Sequence, residues 1–328
     1  MGLDVEDHVG IAGAREGGSP TGRALLLRPV MPRPRALPQT RAVSRSVFRD
    51  GSLELAVGTD LAGDFWFDAP GAGQFRLRGD GALVEATNAT APHPAARRNR
   101  MLVGQVLPFA ALLRGLEVLH ATAVVLPSAA IAIHGAGRTS VALALVREGA
   151  RLLDDDLLAV EPADGGVLAH PGFGTVNVSR SEADRLGDSV LAAAGSVIGE
   201  DRWSVQLRLD TPERAPARLG ALYVLRRPVG IDAVEIRHRL VPDPRLILDA
   251  TFGPAAPTPE RVIRKVALCA LASRTMRVCE VLIPPGARPA ETAEAIRADA
   301  EQTPLETTGG HPTATFASPS EAGCGCAR

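Results

Sequence analysis

The sequence predicts an α/β protein in which a small β-rich region precedes a larger core. Between residues 52 and 86, short and partly alternating apolar runs are separated by Gly and Asp, a pattern typical of short strands. After residue 101, strand-length apolar runs alternate with helically spaced segments, and one Gly-rich turn opens a helix. The 328 residues suffice for one large domain or two small ones with a substantial buried core.

Composition divides the chain into four predicted regions. Residues 1–44 are rich in Gly, Pro and Arg, which predicts a flexible arm or a loosely attached strand. Residues 45–100 form the small β-rich region, and residues 101–302 form the core. Residues 303–328 are polar and rich in Gly, Pro and Thr, which predicts a disordered tail.

Within the core, one or two helices are predicted at 101–119, then strands at 121–126 and 129–133. A helix at 139–148 is predicted to end at Gly149, since Gly is the usual residue after a helix C-terminus. Later strands are expected at 203–209, 219–225, 234–239 and 277–283, and later helices at 179–191, 244–250, 259–271 and 289–302.

Charge and composition exclude several classes of protein. The net charge of −1 and a pI near 6.7 argue against a nucleic-acid partner, because polyanion-binding proteins usually carry a basic excess. Aromatic residues make up only 3%, too few for a base-stacking platform. A homo-oligomer is compatible with the sequence, which does not reveal the oligomeric state.

The localisation expected from the sequence is cytoplasmic, because no secretory signal opens the chain. Residues 118–137 contain no Asp, Glu, Lys or Arg, and two interpretations stay open: a membrane helix, or two buried strands joined by a turn. Pro127 and Ser128 at the centre favour the strands, so no membrane partner is expected.

The four cysteines do not form a disulfide framework, since Cys269 and Cys279 lie in predicted core elements and two others lie in the tail. The tail pair, Cys324 and Cys326, has the spacing of a partial metal site. No second pair of metal ligands lies nearby in the sequence, which favours a tail that does not bind metal.

Residues 119–160 carry the clearest chemistry, because a strand, a Gly-rich turn and a helix are followed by a strand with three acids. A Gly-rich turn at a helix start binds anions through free backbone N–H groups and the helix dipole. The candidate phosphate-binding residues are Gly135, Ala136, Gly137, Arg138, Thr139 and Ser140.

These residues match only the end of the phosphate-loop pattern G-x-x-x-x-G-K-[ST]. Gly137 and Thr139 fit it, but Arg138 replaces the Lys with a bulkier planar cation. Five places before Gly137 the chain has Ala132 instead of Gly, and a loop that starts at Gly135 is too short to wrap a triphosphate. A turn that merely caps a structural helix is the alternative.

Asp155 and Asp156 follow a short apolar strand about seventeen residues after the loop. Two such carboxylates can divide the work, one accepting a proton from an attacking hydroxyl and the other binding Mg²⁺. Adjacent side chains on a strand point to opposite faces, so the strand must end or bend there if both act. The alternative to a cooperating acid pair is a solvated acidic turn. His120 lies upstream of the loop, and the alternative to a catalytic role for it is a structural one.

The residues Leu119-His120-Ala121-Thr122-Ala123-Val124-Val125, the loop, and the block Gly149-Ala-Arg-Leu-Leu-Asp-Asp-Asp156 together resemble the HPr kinase/phosphorylase-like group. This group includes related kinases encoded with peptide-modification systems. Softer matches lie at 219–225 and 246–271. The resemblance covers about residues 50–300, but its specific part is only about forty residues.

The resemblance implies a P-loop core of the phosphoenolpyruvate-carboxykinase type and Mg²⁺-dependent phosphoryl transfer from ATP to a hydroxyl of a peptide or small protein. It places Asp155 near the general base, Asp156 near the metal ligand with Thr139, and His120 close to the transferred phosphate. The reverse assignment of the two aspartates stays open.

Two departures from this group leave a second function open. The first loop Gly and the Lys are both missing, and loss of a positioned cation costs a few kcal/mol of transition-state stabilisation. The alternative to a kinase is therefore a catalytically silent P-loop scaffold that binds a peptide or a partner enzyme.

Overall fold

The computed structural model describes residues 4–7, 23–29, 41–47, 53–86, 94–180, 183–184, 196–200, 204–209, 212–238, 243–252 and 259–302. Within these ranges the chain is a mixed α/β protein with three β-sheets. The predicted tail and most of the predicted 179–191 helix lie outside the described residues, as do Cys324 and Cys326. None of the described helices is both long and apolar enough to cross a lipid bilayer.

The N-terminal sheet has seven strands: β1 Asp4–Asp7, β2 Ala24–Pro29, β3 Arg41–Val47, β4 Leu53–Thr59, β5 Phe65–Ala69, β6 Gly73–Leu77 and β7 Leu83–Ala86. Their order in the sheet is β1-β2-β7-β6-β5-β4-β3. The first three strands start inside the predicted arm, so the sheet extends further upstream than expected. In β2, Leu25 and Leu27 are buried and alternate with less buried neighbours, a short signal within a Pro- and Arg-rich segment.

Three consecutive helical segments cover this sheet: α1 Pro94–Met101, a π-helical turn Leu102–Val106, and α2 Leu107–Leu113. Phe109 packs its ring against Phe65 and Phe67 of β5. Residues on both sides of position 100 therefore share one hydrophobic core, in which side chains from 101–113 pack on the N-terminal sheet. Helical spacing predicts a helix, but it does not say which sheet the helix covers.

The second sheet has nine strands: β8 Glu117–Leu119, β9 Thr122–Val125, β10 Ala130–His134, β11 Arg151–Asp154, β12 Leu158–Ala163, β13 Gly166–Ala169, β17 Ala217–Arg226, β18 Glu235–His238 and β19 Arg277–Leu282. A third sheet pairs β14 Thr175–Ser179, β15 Ser196–Glu200 and β16 Ser204–Arg208. The remaining helices are α3 Arg138–Arg147, α4 Pro244–Asp249, α5 Pro259–Thr275 and α6 Pro289–Gln302.

Strand β17 lies at the centre of the second sheet, parallel to β10 on one side and to β19 on the other. Both of its faces are covered, which explains why its sequence is an almost continuous apolar run. Tyr223 and Leu225 enter the hydrophobic core that contains residues of α3 and α6, whereas Leu222 and Val224 enter the core that contains residues of α4 and α5.

The uncharged stretch at 118–137 forms strands, as the sequence favours. β9 and β10 are antiparallel neighbours, and the turn between them contains Pro127 and Ser128. The helix predicted at 139–148 is α3, and Gly149 follows its end in the left-handed conformation with φ +100°. The helix predicted across 101–119 ends earlier, at Leu113, because residues 117–119 form β8 instead.

Candidate functional site

The Gly-rich turn is a tight connection of three residues between β10 and α3. Gly137 begins the helix with φ +88°, a conformation that side chains disfavour. Gly135 has φ +109°, and a Cβ atom on it would lie 2.8 Å from the carbonyl oxygen of Leu225. Ala132 is fully buried within β10. The turn is therefore pressed against the end of β17 and does not form a long phosphate-wrapping loop.

The acidic run bends in the way that two cooperating carboxylates require. Strand β11 ends at Asp154, and Asp155 and Asp156 lie in the bend that follows. Asp156 has φ +73°, a left-handed conformation that Asp tolerates better than most residues. The strand alternation is broken there, and both carboxylates reach the same cleft.

Asp155 is buried beneath the start of α3. Its Oδ1 accepts hydrogen bonds from the hydroxyls of Thr122, at 2.7 Å, and Thr139, at 2.9 Å. Its Oδ2 accepts one from the backbone N–H of Asn177, at 3.0 Å. Burial raises the pKa of Asp155 above its ordinary value, and these hydrogen bonds oppose the rise. Asp155 thereby ties together β9, α3 and β14.

Asp156 is more open, with 40% of its side chain exposed, and it contacts two basic side chains. Its Oδ1 accepts from the guanidinium of Arg138 and lies 3.0 Å from Nε2 of His120. Burial acts to raise the pKa of Asp156, but the hydrogen bond from His120 and the charge of Arg138 outweigh it and hold the pKa below the ordinary value.

His120 also has its Nε2 within 2.8 Å of an Nη of Arg138. One nitrogen cannot donate and accept at once, so neutral His120 either accepts from Arg138 or donates to Asp156. The backbone carbonyl of His120 accepts from Nδ1 of His134, which places the proton of His134 on Nδ1. Burial lowers the pKa of His134, with the charges of Arg138 and Arg226 adding to the effect.

These groups surround a cleft of about 150 Å³, lined by Gly137, Arg138, Thr139, Ser140, Asp155, Asp156 and Asn177. The volume is below the roughly 300–1,000 Å³ of pockets that enclose a drug-sized ligand. It is of the scale of a phosphoryl group. Of the predicted loop residues, Gly135 and Ala136 are not among those that line the cleft; Gly135 packs on Leu225, and Ala136 is exposed.

Three contributors were missed by the sequence interpretation. Thr122 and Asn177 bond to Asp155 from strands distant in sequence, and Oδ1 of Asn177 is a buried atom without a hydrogen-bond partner among the described residues. Arg227 follows β17, and a Cβ on Gly137 would lie 3.1 Å from its Nη2. The sequence could have indicated Asn177, because it is a polar residue within the apolar run of β14. Nothing in the sequence around Arg227 indicates a role for it.

Asp154 lies behind the cleft. Its Oδ1 accepts from the backbone N–H of Asp155 at 2.9 Å, and its Oδ2 is buried without a partner among the described residues. Burial raises the pKa of Asp154 to about 7. The backbone of Gly172 lies directly against this carboxyl, since a Cβ on Gly172 would be 1.8 Å from Oδ1.

The donor set of the cleft suits a hard divalent cation. Mg²⁺ prefers oxygen ligands and is usually held by one or two carboxylates together with substrate phosphates. Asp155, Asp156, the Thr139 hydroxyl and the unpartnered Oδ1 of Asn177 are all oxygen donors around one cleft.

Comparison with known proteins gives a likeness to solved structures and none to a family or a curated protein. No known protein family matches the sequence, and none of the curated proteins compared is similar to it. Among solved structures, the Hpr(Ser) kinase/phosphatase from Coxiella burnetii aligns with 13% identity over 56% of this chain and 97% of that chain, with a TM-score of 0.31. At this TM-score the two structures share too little for a function to be transferred.

Proposed function

We propose that this protein is a cytoplasmic ATP-dependent kinase that transfers a phosphoryl group to a hydroxyl of a peptide or small protein. The P-loop core of the phosphoenolpyruvate-carboxykinase type is part of this proposal. One observation carries it: two carboxylates and Arg138 line one cleft at the N-terminus of α3, and Arg227 lies against Gly137 of the same cleft.

The phosphates are assigned to the start of α3. The first N–H groups of a helix have no partner within the helix, and its dipole favours negative charge there. Arg138 lines the cleft and Arg227 lies against Gly137, and together they supply the positive charge that the missing Lys would give. Nε of Arg138 is buried without a hydrogen-bond partner among the described residues, so the side chain retains a free donor.

The exposure of the two aspartates favours the reverse of their first assignment. In P-loop proteins the cation is held by the loop hydroxyl and a nearby Asp. Asp155 is the aspartate hydrogen-bonded to Thr139, so we assign Thr139 and Asp155 to the Mg²⁺ side. Bound there, Mg²⁺ neutralises charge on the phosphate oxygens.

Asp156 is then the group that meets the substrate hydroxyl. It is the more exposed carboxylate of the pair, and His120 lies beside it at 3.0 Å. We assign Asp156 as the general base and His120 as the group next to the transferred phosphate. The ion pair between Arg138 and Asp156 must open for this, freeing one partner for phosphate and the other for the hydroxyl.

A second candidate function is a catalytically silent scaffold, and the short turn between β10 and α3 favours it. With Ala132 inside β10 and only three residues before α3, the turn cannot surround a triphosphate as a full phosphate loop does. A scaffold of this kind would bind a peptide or partner enzyme without nucleotide.

Calorimetric titration with Mg-ATP and Mg-ADP separates the two functions. The kinase proposal expects binding by the parent protein that weakens at least about tenfold in Arg138→Ala, since a hydrogen bond to a charged group contributes roughly 1.5–3 kcal/mol. Asp155→Asn is expected to weaken the Mg²⁺-dependent part of binding, and Asp156→Asn to abolish ATP turnover with binding retained.

Matched controls keep the charge changes away from the cleft. Arg147→Ala removes an exposed Arg at the far end of the same helix, and Asp232→Asn removes an exposed carboxylate. Both controls should bind like the parent. Undetectable nucleotide binding by the parent would end the kinase proposal, and binding that Arg138→Ala leaves unchanged would show that the phosphates lie elsewhere.

A further inference from the structure

A second group of chemically active side chains, none of which lines the cleft, lies where β18, β19 and α6 meet. Cys279 of β19 is the direct register partner of His238 on β18 and of Tyr223 on β17. The three side chains therefore form a row across the sheet, and Asp299 of α6 lies over it.

The contacts in this row are ordered from thiol to imidazole to carboxylate. Sγ of Cys279 lies 3.5 Å from Nδ1 of His238, and Nε2 of His238 lies 2.7 Å from Oδ1 of Asp299. The other oxygen of Asp299 accepts from the hydroxyl of Tyr223 at 2.7 Å and from Arg277 at 3.2 Å. Asp299 is thus fixed, and it holds the proton of His238 on Nε2.

With that proton on Nε2, the lone pair of Nδ1 faces the sulfur of Cys279. This is the arrangement of metal-binding histidines, which commonly donate their other N–H to a carboxylate. A tetrahedral Zn²⁺ with bonds of about 2.3 Å to sulfur and 2.0–2.1 Å to nitrogen holds those two ligand atoms about 3.5 Å apart. The observed separation of Sγ and Nδ1 matches that geometry.

Accessibility favours a cation over a nucleophilic thiol. Cys279 is 1% exposed, so a bulky substrate would not reach its sulfur. His238 is half exposed at the open side of the row, which gives a small ion a route to the sulfur.

We propose that Cys279 and His238 form a binding site for a borderline divalent cation of the Zn²⁺ class, with Asp299 positioning the imidazole and solvent completing the coordination. On binding, the S–H bond breaks, a metal–sulfur bond forms and the proton is released to solvent. The ion would fasten β18 and β19 at the edge of the second sheet. This site is independent of the kinase cleft.

The test uses the full chain, stripped of metal with a chelator, with Cys324 and Cys326 replaced by Ser so that only two thiols remain. Titration with Co²⁺ should give a thiolate-to-cobalt charge-transfer band, and Zn²⁺ should displace it. Cys279→Ser should abolish the band, whereas the control Cys269→Ser, at the other buried free thiol, should retain it.

Two further variants protect the test against misfolding. His238→Ala changes a half-exposed residue and should abolish the band with the circular dichroism spectrum intact. Asp299→Asn should keep the band but weaken Co²⁺ binding by roughly 10–100-fold, as loss of an outer-shell carboxylate does. The proposal is overturned if the parent gives no band, if Cys279→Ser or His238→Ala keeps it, or if Asp299→Asn binds with parent affinity.

Discussion

The hydroxyl of Thr139 donates a 2.9 Å hydrogen bond to the carboxylate of Asp155, joining the first turn of α3 to the bend after β11. The loop hydroxyl and the acidic pair are sixteen residues apart in sequence and meet at one cleft. The Mg²⁺ site proposed for Thr139 and Asp155 rests on this contact.

Thr139→Val should remove the Mg²⁺-dependent part of ATP binding, because valine keeps the shape of threonine without its hydroxyl. The expected loss is at least about tenfold in affinity, from a hydrogen bond or metal contact to a charged group. Thr139→Ser keeps the hydroxyl and is the matched control. Equal Mg²⁺-dependent affinities of the two variants, measured by calorimetry, would contradict the assignment of Thr139.

Arg227→Ala should weaken ATP binding, because its guanidinium lies over Gly137 where the phosphates are assigned. The side chain is exposed, so its contribution should shrink as salt screens the interaction. Titrations at low and high ionic strength measure this. Arg147→Ala is the control at the opposite end of α3, and a salt-independent effect of Arg227→Ala would argue against a phosphate contact.

Asp154 should make the protein less stable as the pH rises from about 4 to 7. Its pKa in the folded protein is about 7, above the ordinary value of 3.8. In that window the unfolded chain has lost this proton while the folded chain keeps it, so the unfolding free energy falls with pH and levels off above 7. The total change is of the order of a few kcal/mol.

Asp154→Asn removes this titration and isolates its effect. The unfolding free energy of Asp154→Asn minus that of the parent, from urea denaturation, should increase between pH 4 and 7 and be constant above. Asp232→Asn, at an exposed site, should follow the parent at every pH. A pH-independent difference for Asp154→Asn would show that Asp154 is ionised in the folded protein throughout.

Gly172→Ala should destabilise the fold by at least about 1–3 kcal/mol, the usual cost of overpacking. The new Cβ would lie 1.8 Å from Oδ1 and 2.2 Å from Cγ of Asp154, so one of the two must move. Gly104→Ala is the control, since a Cβ there meets no atom within 4 Å. Thermal unfolding of both variants gives the comparison.

Removal of the carboxyl should relieve this clash. In a double-mutant cycle, Gly172→Ala should cost less in an Asp154→Ala background than in the parent. Additive effects of the two substitutions would mean that Gly172 is constrained by something other than Asp154.

Local patterns were sufficient for most elements of the core. Strands β9 and β10, helix α3 and its end at Gly149 follow from apolar period, Pro and Gly placement, which act within a few residues. The N-terminal limit of the first sheet could not be predicted from the sequence, because β2 carries only two buried leucines in a segment rich in Pro and Arg. The sequence also did not predict which sheet α2 packs against, since an apolar helix face can pack on any sheet.

For the candidate site, the sequence by itself determined which residue types were available: a turn with Gly137, a hydroxyl at Thr139, and acids at Asp155 and Asp156. Only the tertiary structure decided their geometry. It placed Asp156 in a left-handed bend beside His120, brought Asn177 to the cleft and set Arg227 against Gly137. The physical reason is that turn and helix signals are local, whereas side chains from separate strands meet only through sheet register and packing, which no short stretch of sequence encodes.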